Sequence, residues 1–320
     1  MMWLYSPTTK SDGVSAELMG GKALGLYWLQ SHGFATPQTW VLSTQAFDAM
    51  VQAAGVADQI AVLAEATADK PDWLITERRL RALSDVRHQL AEALQTTPLP
   101  DPVRAALQAL PQNETLWAVR SSATVEDMHS HSFAGQFSSC LSVPSGPSLA
   151  EAIRTVWASA FDKTVLHYRA QHGTAMPRMA VVLQPMEPIT ADDRAGVIFS
   201  QSTIPELRGV LIQATFGAGT TVVGRGGGEI KCVNGAQVTP CFWTPEHIMV
   251  TAASGGMQSA PPRFDAVLAD KEAVQLARQV HAMADQYGRP VDVEFVWRKG
   301  REPVFVQVRA LTGREMWSST

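Results

Sequence analysis

The segment from Pro290 to Thr312 restricts the fold of this chain more than any other. Val291-Asp292-Val293-Glu294-Phe295 alternates apolar and acidic residues, and Val304-Phe305-Val306-Gln307-Val308-Arg309 alternates again after a turn through Lys299, Gly300 and Arg301. A period of two segregates apolar from polar side chains only on a β-strand. If Trp297 faces Val304 across the turn, Glu294 falls opposite Gln307 and Asp292 opposite Arg309. Directly opposed residues share a face, so two carboxylates, an amide and a guanidinium project together with valines behind them. Hard oxygens of this kind suit magnesium, whose shell phosphate oxygens then help to complete. The arginine fork also matches phosphate. The other reading is a surface hairpin with an ordinary cross-strand salt bridge, since polar faces are common on antiparallel sheets. A glutamine within an otherwise apolar strand favours the site.

The rest of the chain reads as helices first and strands later. Helical period marks Ala16 to His32, Thr44 to Ala54, Asp72 to Leu94, Ser148 to Gln171 and Asp270 to Tyr287. Short apolar runs mark strands at Thr39–Leu42, Leu116–Val119, Met179–Leu183, Ala195–Phe199 and Val210–Ala214. The mixture predicts an α+β fold. With 320 residues and 46% hydrophobic content, the chain can bury two cores. The boundary is expected near residue 182, giving parts at 1–181 and 182–320.

Composition removes several function classes. The net charge of −4 and the lack of a long Lys/Arg run argue against nucleic acid as a partner. No apolar run reaches the length of a membrane span. Met1 to Lys10 has neither the basic start nor the apolar stretch of a signal peptide. Three unpaired-looking cysteines, Cys140, Cys232 and Cys241, fit a reducing compartment, and the cytoplasm is expected.

Two further segments offer phosphate chemistry. Gly20-Gly21-Lys22 can present backbone N–H groups and an ammonium to an anion, although it is not a Walker A loop and glycines also simply punctuate helices. Trp117 to Ala123 runs from a buried strand through Arg120 into Ser121 and Ser122. An arginine beside small hydroxyl residues can meet a polyphosphate without bulk, or it can pair structurally with Glu126 or Asp127. His129 and His131 lack a third ligand and read as solvated. Gly217-Ala218-Gly219 and Gly224 to Gly228 do not complete a dinucleotide fingerprint, because Val222 and Glu229 occupy the closing positions.

Taken in order, GGKALGL (20–26), ATPQTWVLSTQAF (35–47), AVRSSATVED (118–127), SFAGQ (132–136), AIRTVWASAFDKTVLHYR (152–169), AVVLQPM (180–186), DVEF (292–295) and FVQVRALT (305–312) resemble one family. It is the ATP-grasp nucleotide-binding domain of phosphoenolpyruvate synthase and pyruvate, phosphate dikinase, shared by rifampicin phosphotransferase and phenylphosphate synthase. The resemblance covers nearly the whole chain. It implies a two-lobed ATP-grasp fold with mixed or antiparallel sheets and flanking helices, with ATP and Mg2+ as cofactors. It also implies that Lys22, Arg120 and Arg309 serve the phosphates and that Glu294 and Gln307 hold magnesium with Asp292 in support. Gln184 and Met186 fall where the family lines its adenine site.

The sequence departs from the family in places. Thr220 stands where the family often has Glu, Phe295 where it commonly has Trp, and His129 and His131 where acidic or small residues are usual. In multidomain members a histidine in a Gly-Gly…Ser-His-Ala setting carries the phosphoryl group, and none of the eight histidines here has that setting. The chain ends where the ATP lobe is expected to end. The resemblance therefore implies a dikinase-type phosphotransferase subunit working with a separate carrier and acceptor-binding chain or domain. A free-standing kinase or ligase, a degenerate partner that binds without turnover, and a fragment of a longer enzyme are the alternatives.

Overall fold

The computed structural model describes residues 3–6, 14–68, 72–111, 113, 115–125, 127–128, 131–132, 137–204, 206–220, 222, 228–241 and 247–311. The chain divides into two compact units, residues 1–24 with 38–186 and residues 25–37 with 187–320. Among the described residues, no single helix is long and apolar enough to cross a membrane.

In the first unit the elements run β1 (Leu4–Tyr5), α1 (Ala16–Ser31, passing into the second unit at residue 25), β2 (Trp40–Leu42), α2 (Thr44–Ala54), α3 (Ala57–Ala66), α4 (Trp73–Ala82) and α5 (Ser84–Thr96). They continue through α6 (Asp101–Leu107), β3 (Leu116–Ala123), β4 (Asp127–Met128), β5 (His131–Ser132), β6 (Ser139–Pro144), α7 (Pro147–Ala158), α8 (Lys163–His172) and β7 (Met179–Pro185). The main sheet is antiparallel in the order β1-β2-β7-β3-β6. Central β7 is buried from Met179 to Gln184 and apolar as far as Leu183. Helices α7 and α2 pack against this sheet with Trp157 and Phe47 in the core, and the Trp157 indole N–H donates to the Met179 carbonyl at 3.1 Å. Thus one of the two fully buried tryptophans of this core has its one polar group satisfied.

Three helices expected to be continuous are broken, the first of them, Ala16 to His32, at Gly20. Asp72 to Leu94 splits at Leu83, whose backbone (φ −99°, ψ 18°) leaves the helix, so that Leu80 and Leu90 both reach the core. Ser148 to Gln171 breaks over a 3-10 turn, Ser159–Phe161, followed by extended Asp162 (φ −62°, ψ 146°). The Ser159 hydroxyl donates to the Val156 carbonyl at 2.7 Å and accepts the Ser138 N–H at 3.1 Å. Residues 156–161 are all buried, so this run has no polar face whose phase could reveal the break.

The second unit contains β8 (Arg194–Phe199), β9 (Val210–Phe216), β10 (Glu229–Asn234), β11 (Gln237–Cys241), β12 (Ile248–Thr251), β13 (Met257–Ala260), α9 (Asp270–Tyr287), β14 (Val291–Trp297) and β15 (Val304–Ala310). Six strands form an antiparallel sheet in the order β11-β10-β9-β8-β14-β15. Helix α9 buries Ala273, Leu276, Ala277, Val280 and Met283 against one face, the spacing of an amphipathic helix. That face of the sheet carries Ile198, Ile212, Ala214, Val291, Val293 and Phe295. Buried Lys231 donates to the Leu268 carbonyl at 2.6 Å and to Asp270 at 2.8 Å, with Glu229 at 3.6 Å, so its charge is met on three sides. The segment before α9 is tied to β10 in this way. Gly25 brings α1 against β15, since a Cβ there would stand 2.3 Å from the Val308 carbonyl oxygen.

Candidate functional site

In the first unit, Gly20 interrupts α1 with a backbone (φ 70°, ψ 174°) that other residues do not adopt. The helix therefore starts afresh at Gly21, and its first N–H groups lack partners within the helix. Ser122 of β3 supplies one, accepting the Ala23 N–H at 3.0 Å while donating to the Met19 carbonyl at 2.7 Å. Lys22 donates to the Ser121 hydroxyl at 3.1 Å. Gly20-Gly21-Lys22 thus does lie at a helix N-terminus, where amide dipoles and an ammonium combine to favour an anion.

The sheet places more of the expected residues on the same side. Trp117, Val119, Ala123, Met179, Val181 and Leu183 face the apolar core. Alternation turns Ala118, Arg120 and Ser122 to the other face. Arg120 lies opposite Val182, and Ala118 opposite Gln184, so Arg120, Gln184 and the serine that caps α1 share one face. Arg120 is only 8% exposed. Gln184 donates to the Thr39 hydroxyl at 3.0 Å. Met186, just beyond β7, donates its N–H to the Leu116 carbonyl at 3.0 Å and accepts the Ser142 N–H on sulfur at 3.1 Å. Ser142 sits in a bulge of the β3–β6 pairing with φ 56°, an uncommon conformation for a serine.

In the second unit, Glu294 lies opposite Gln307 and Asp292 opposite Arg309, the expected register. Trp297 does not face Val304, however. A bulge after Glu294 pairs Phe295 with Phe305 and Val296 with Val304. Regular alternation would have put Phe305 on the polar face with Gln307 and Arg309. The extra residue, Val306, returns Phe305 to the apolar core beside Phe295, and both are 1% exposed. Arg309 donates through Nε at 2.8 Å and through a terminal nitrogen at 2.5 Å to one oxygen of Asp292. The salt bridge is therefore real, and it is buried, with side-chain exposures of 15% and 8%. Removing one partner of such a pair leaves an uncompensated buried charge. Asp292→Ala is expected to lower the unfolding free energy by about 3 kcal/mol, read as a drop in denaturant midpoint, and an unchanged midpoint would count against this picture.

An ionic girdle fixes the hairpin turn. Arg301 grips Glu187 at 2.7 and 3.2 Å, and Arg298 donates to the Glu187 and Pro188 carbonyls. Lys299 and Arg263 both bond to Asp192 and hold its carboxyl below the usual range. These contacts leave the strands bearing Glu294 and Gln307 with an anchored turn.

The magnesium implied by resemblance would be held by Glu294 and Gln307. Their side chains offer hard oxygens from directly opposed positions on one face. Among the described residues no group of three or more His, Cys, Asp or Glu forms a closed metal cage. A cation bound by one carboxylate, one amide and phosphate oxygens fits this donor set. Thr220, in the place of the expected Glu, is exposed. The expected loop residues Glu126, His129, Phe133 to Gln136 and Gly224 to Gly227 lie outside the described residues, as do the side chains of Asp127 and His131. The glutamine at 213, buried on the same face as Glu294, went unread in the sequence although it too is a lone amide in an apolar strand, because no charged residue alternates with it as Arg309 does with Gln307.

A family model described as pyruvate phosphate dikinase, AMP/ATP-binding domain, matches residues 16–318. The chain is similar to a probable phosphoenolpyruvate synthase of Methanothermobacter thermautotrophicus, at 25% identity over 92% of this chain and 44% of that protein. It is similar to a rifampicin phosphotransferase of Streptomyces sviceus, at 29% identity over 89% of this chain and 33% of the other. A phosphoenolpyruvate synthase of Aeropyrum pernix is 31% identical over 67% of this chain and 26% of its own length. The chain thus spans less than half the length of each of these relatives.

Proposed function

Because the chain belongs to the pyruvate phosphate dikinase AMP/ATP-binding domain family, we propose that it binds Mg-ATP and donates a phosphoryl group to a histidine on a separate carrier chain. The group comes from the β-position, and the carrier passes it to a further acceptor. The balance is ATP, water and histidine giving AMP, phosphate and phosphohistidine. One observation supports this reading above the others: Glu294 stands opposite Gln307, beside the Asp292–Arg309 pair, on one face of a sheet. The two units act in this proposal as the two lobes of one ATP-grasp domain.

Lys22 and Arg120 contact the phosphates, and Gln184 and Met186 contact the adenine base. Glu294 and Gln307 hold the cation, and Asp292 orients Arg309 toward the phosphates through their hydrogen bonds. Bound magnesium would neutralise phosphate oxygens and fix their orientation. The chain itself contributes positioning and charge rather than a covalent intermediate. The carrier histidine is assigned outside these residues because none of the eight histidines lies in a Gly-Gly…Ser-His-Ala setting.

Incubation with β- and γ-labelled ATP, with and without a candidate carrier protein, tests the reading. The β label should appear on a carrier histidine as an acid-labile phosphoryl group, and the γ label as free phosphate. Transfer of the γ label to a small acceptor with release of ADP would instead favour a free-standing kinase. ATP binding without turnover, even with carrier present, would favour a degenerate partner, for which Thr220 in place of Glu is the motive.

A further inference from the structure

Three consecutive residues of β3 underlie the candidate phosphate site. Arg120 brings its guanidinium, and Ser121 and Ser122, both fully buried, hold α1. The main chain beneath them is fixed, because β7 pairs with β3 as far as Ala123, with Ser121 opposite Val181. Ser122 secures the backbone end of Lys22. Its hydroxyl accepts the Ala23 N–H at 3.0 Å and donates to the Met19 carbonyl at 2.7 Å, and its carbonyl oxygen would stand 2.1 Å from a Cβ at Gly20. Ser121 secures the other end, since its hydroxyl accepts from Lys22 Nζ at 3.1 Å. Both ends of one flexible side chain are thus tied to adjacent residues of a single strand.

A lysine has a four-carbon stem, and immobilising its ammonium costs rotamer entropy. Where the tip is already held in the folded chain, that cost falls on folding and not on the binding of a ligand. The chemistry of the holder matters too. Lys163 is held by Glu77 at 2.5 Å, Lys231 by Asp270 at 2.8 Å and Lys299 by Asp192 at 2.9 Å, and each carboxylate offsets the charge that it orients. A hydroxyl orients the ammonium without offsetting its charge. An ammonium has three donors, so a bond to Ser121 is compatible with bonds to phosphate oxygens.

We infer that Ser121 is a positioning residue for the Lys22 ammonium and holds it ready for the phosphates of ATP. The inference rests on the Mg-ATP reading above, in which Lys22 contacts those phosphates. The fixed base of β3 then sets three things together: the Arg120 guanidinium, the start of the α1 helix after Gly20, and the tip of Lys22.

The test is a double-mutant cycle on the full chain, with Mg-ATP titrated into the native protein, Ser121→Ala, Lys22→Met and the double variant. Ser121→Ala should bind about fivefold more weakly, the scale of ordering one long side chain on binding. Lys22→Met should lose about tenfold or more, as when a hydrogen bond from a charged group is removed. With Lys22→Met already in place, adding Ser121→Ala should change the affinity by less than about twofold, because there is no ammonium left to hold. A fivefold loss that persists in the double variant would show a structural role for Ser121 and overturn the assignment. Native affinity in Ser121→Ala would overturn it too, and so would tighter binding, which would mean that Ser121 keeps Lys22 away from the phosphates. If Ser121→Ala does not fold, Ser121→Cys, close in size but a weak acceptor, must show the same lysine-dependent loss or the assignment fails. Native ATP affinity in Lys22→Met would instead remove Lys22 from the phosphates, and a native chain that binds no ATP would overturn the Mg-ATP reading itself.

Discussion

Glu294→Ala is expected to reduce ATP turnover by about a hundred- to a thousandfold, the scale seen when one preorganised group that meets developing charge is removed. The chain should remain folded. Glu294 is partly exposed, and its apolar neighbours Val293 and Phe295 carry the packing of β14 against α9. Truncating such a residue costs within about 1 kcal/mol. Asp292 also projects from the same face, so removing Glu294 lowers carboxylate repulsion in the protein without a cation. The variant should thus melt at or slightly above the native temperature without ligand and lose the stabilisation that Mg-ATP gives the native chain by mass action. Turnover retained in Glu294→Ala would remove Glu294 from the site. A collapse of ligand-free stability would show that its role is structural.

The largest effect on stability is expected at Gly20. Its backbone (φ 70°, ψ 174°) lies in a region that belongs almost to glycine alone. A Cβ there would stand 2.1 Å from the Ser122 carbonyl oxygen and 2.7 Å from the Ser122 hydroxyl. The obstacle is main chain of a central strand, which cannot swing aside as a flexible side chain could. Gly20→Ala should therefore cost about 3 kcal/mol or more, and whatever folds should bind nucleotide poorly because the Ser122 cap and Lys22 move together. Gly33 offers the comparison. It also has positive φ (78°), but a Cβ there meets nothing within 4 Å. Gly33→Ala should cost about 1 kcal/mol. Equal denaturant midpoints for the two variants would show that the approach of α1 to Ser122 is not close.

How far the site could be read from sequence depended on periodicity. Asp292, Glu294, Gln307 and Arg309 alternate with valines, and an antiparallel ladder leaves few registers that keep all four on one face. The bulge was invisible, because Val304, Phe305 and Val306 are apolar in succession and carry no phase. The same limit hid the break at Ser159–Asp162, which follows a run, 156–161, that is buried throughout; at Leu83 neither a proline nor a glycine marks the break. The sequence runs one helical pattern from Ala16 to His32 through Gly20, and the residue that caps the restarted helix, Ser122, comes from a strand 103 positions beyond Met19 in sequence. No local pattern predicts such a partner. Strands β10 to β13 were likewise missed, being short, polar in part and set among turns. The α+β class itself was legible because the amphipathic spacing in α2 and α9 is strong, and both helices have the bounds their sequence predicts, Thr44–Ala54 and Asp270–Tyr287.

Two hard-oxygen side chains of the protein are too few to hold magnesium tightly, so phosphate oxygens have to complete its shell. Electron paramagnetic resonance of Mn2+, as a stand-in for magnesium, reads this directly through the loss of the free-ion signal. With ATP present, the native chain should take up one Mn2+ into a ternary complex, and without ATP it should take up almost none. Glu294→Ala should bind no Mn2+ beyond what ATP alone holds in solution. Uptake of Mn2+ that is the same with and without ATP, or the same in Glu294→Ala as in the native chain, would mean that the carboxylate–amide face of the hairpin is not where the nucleotide's metal is held.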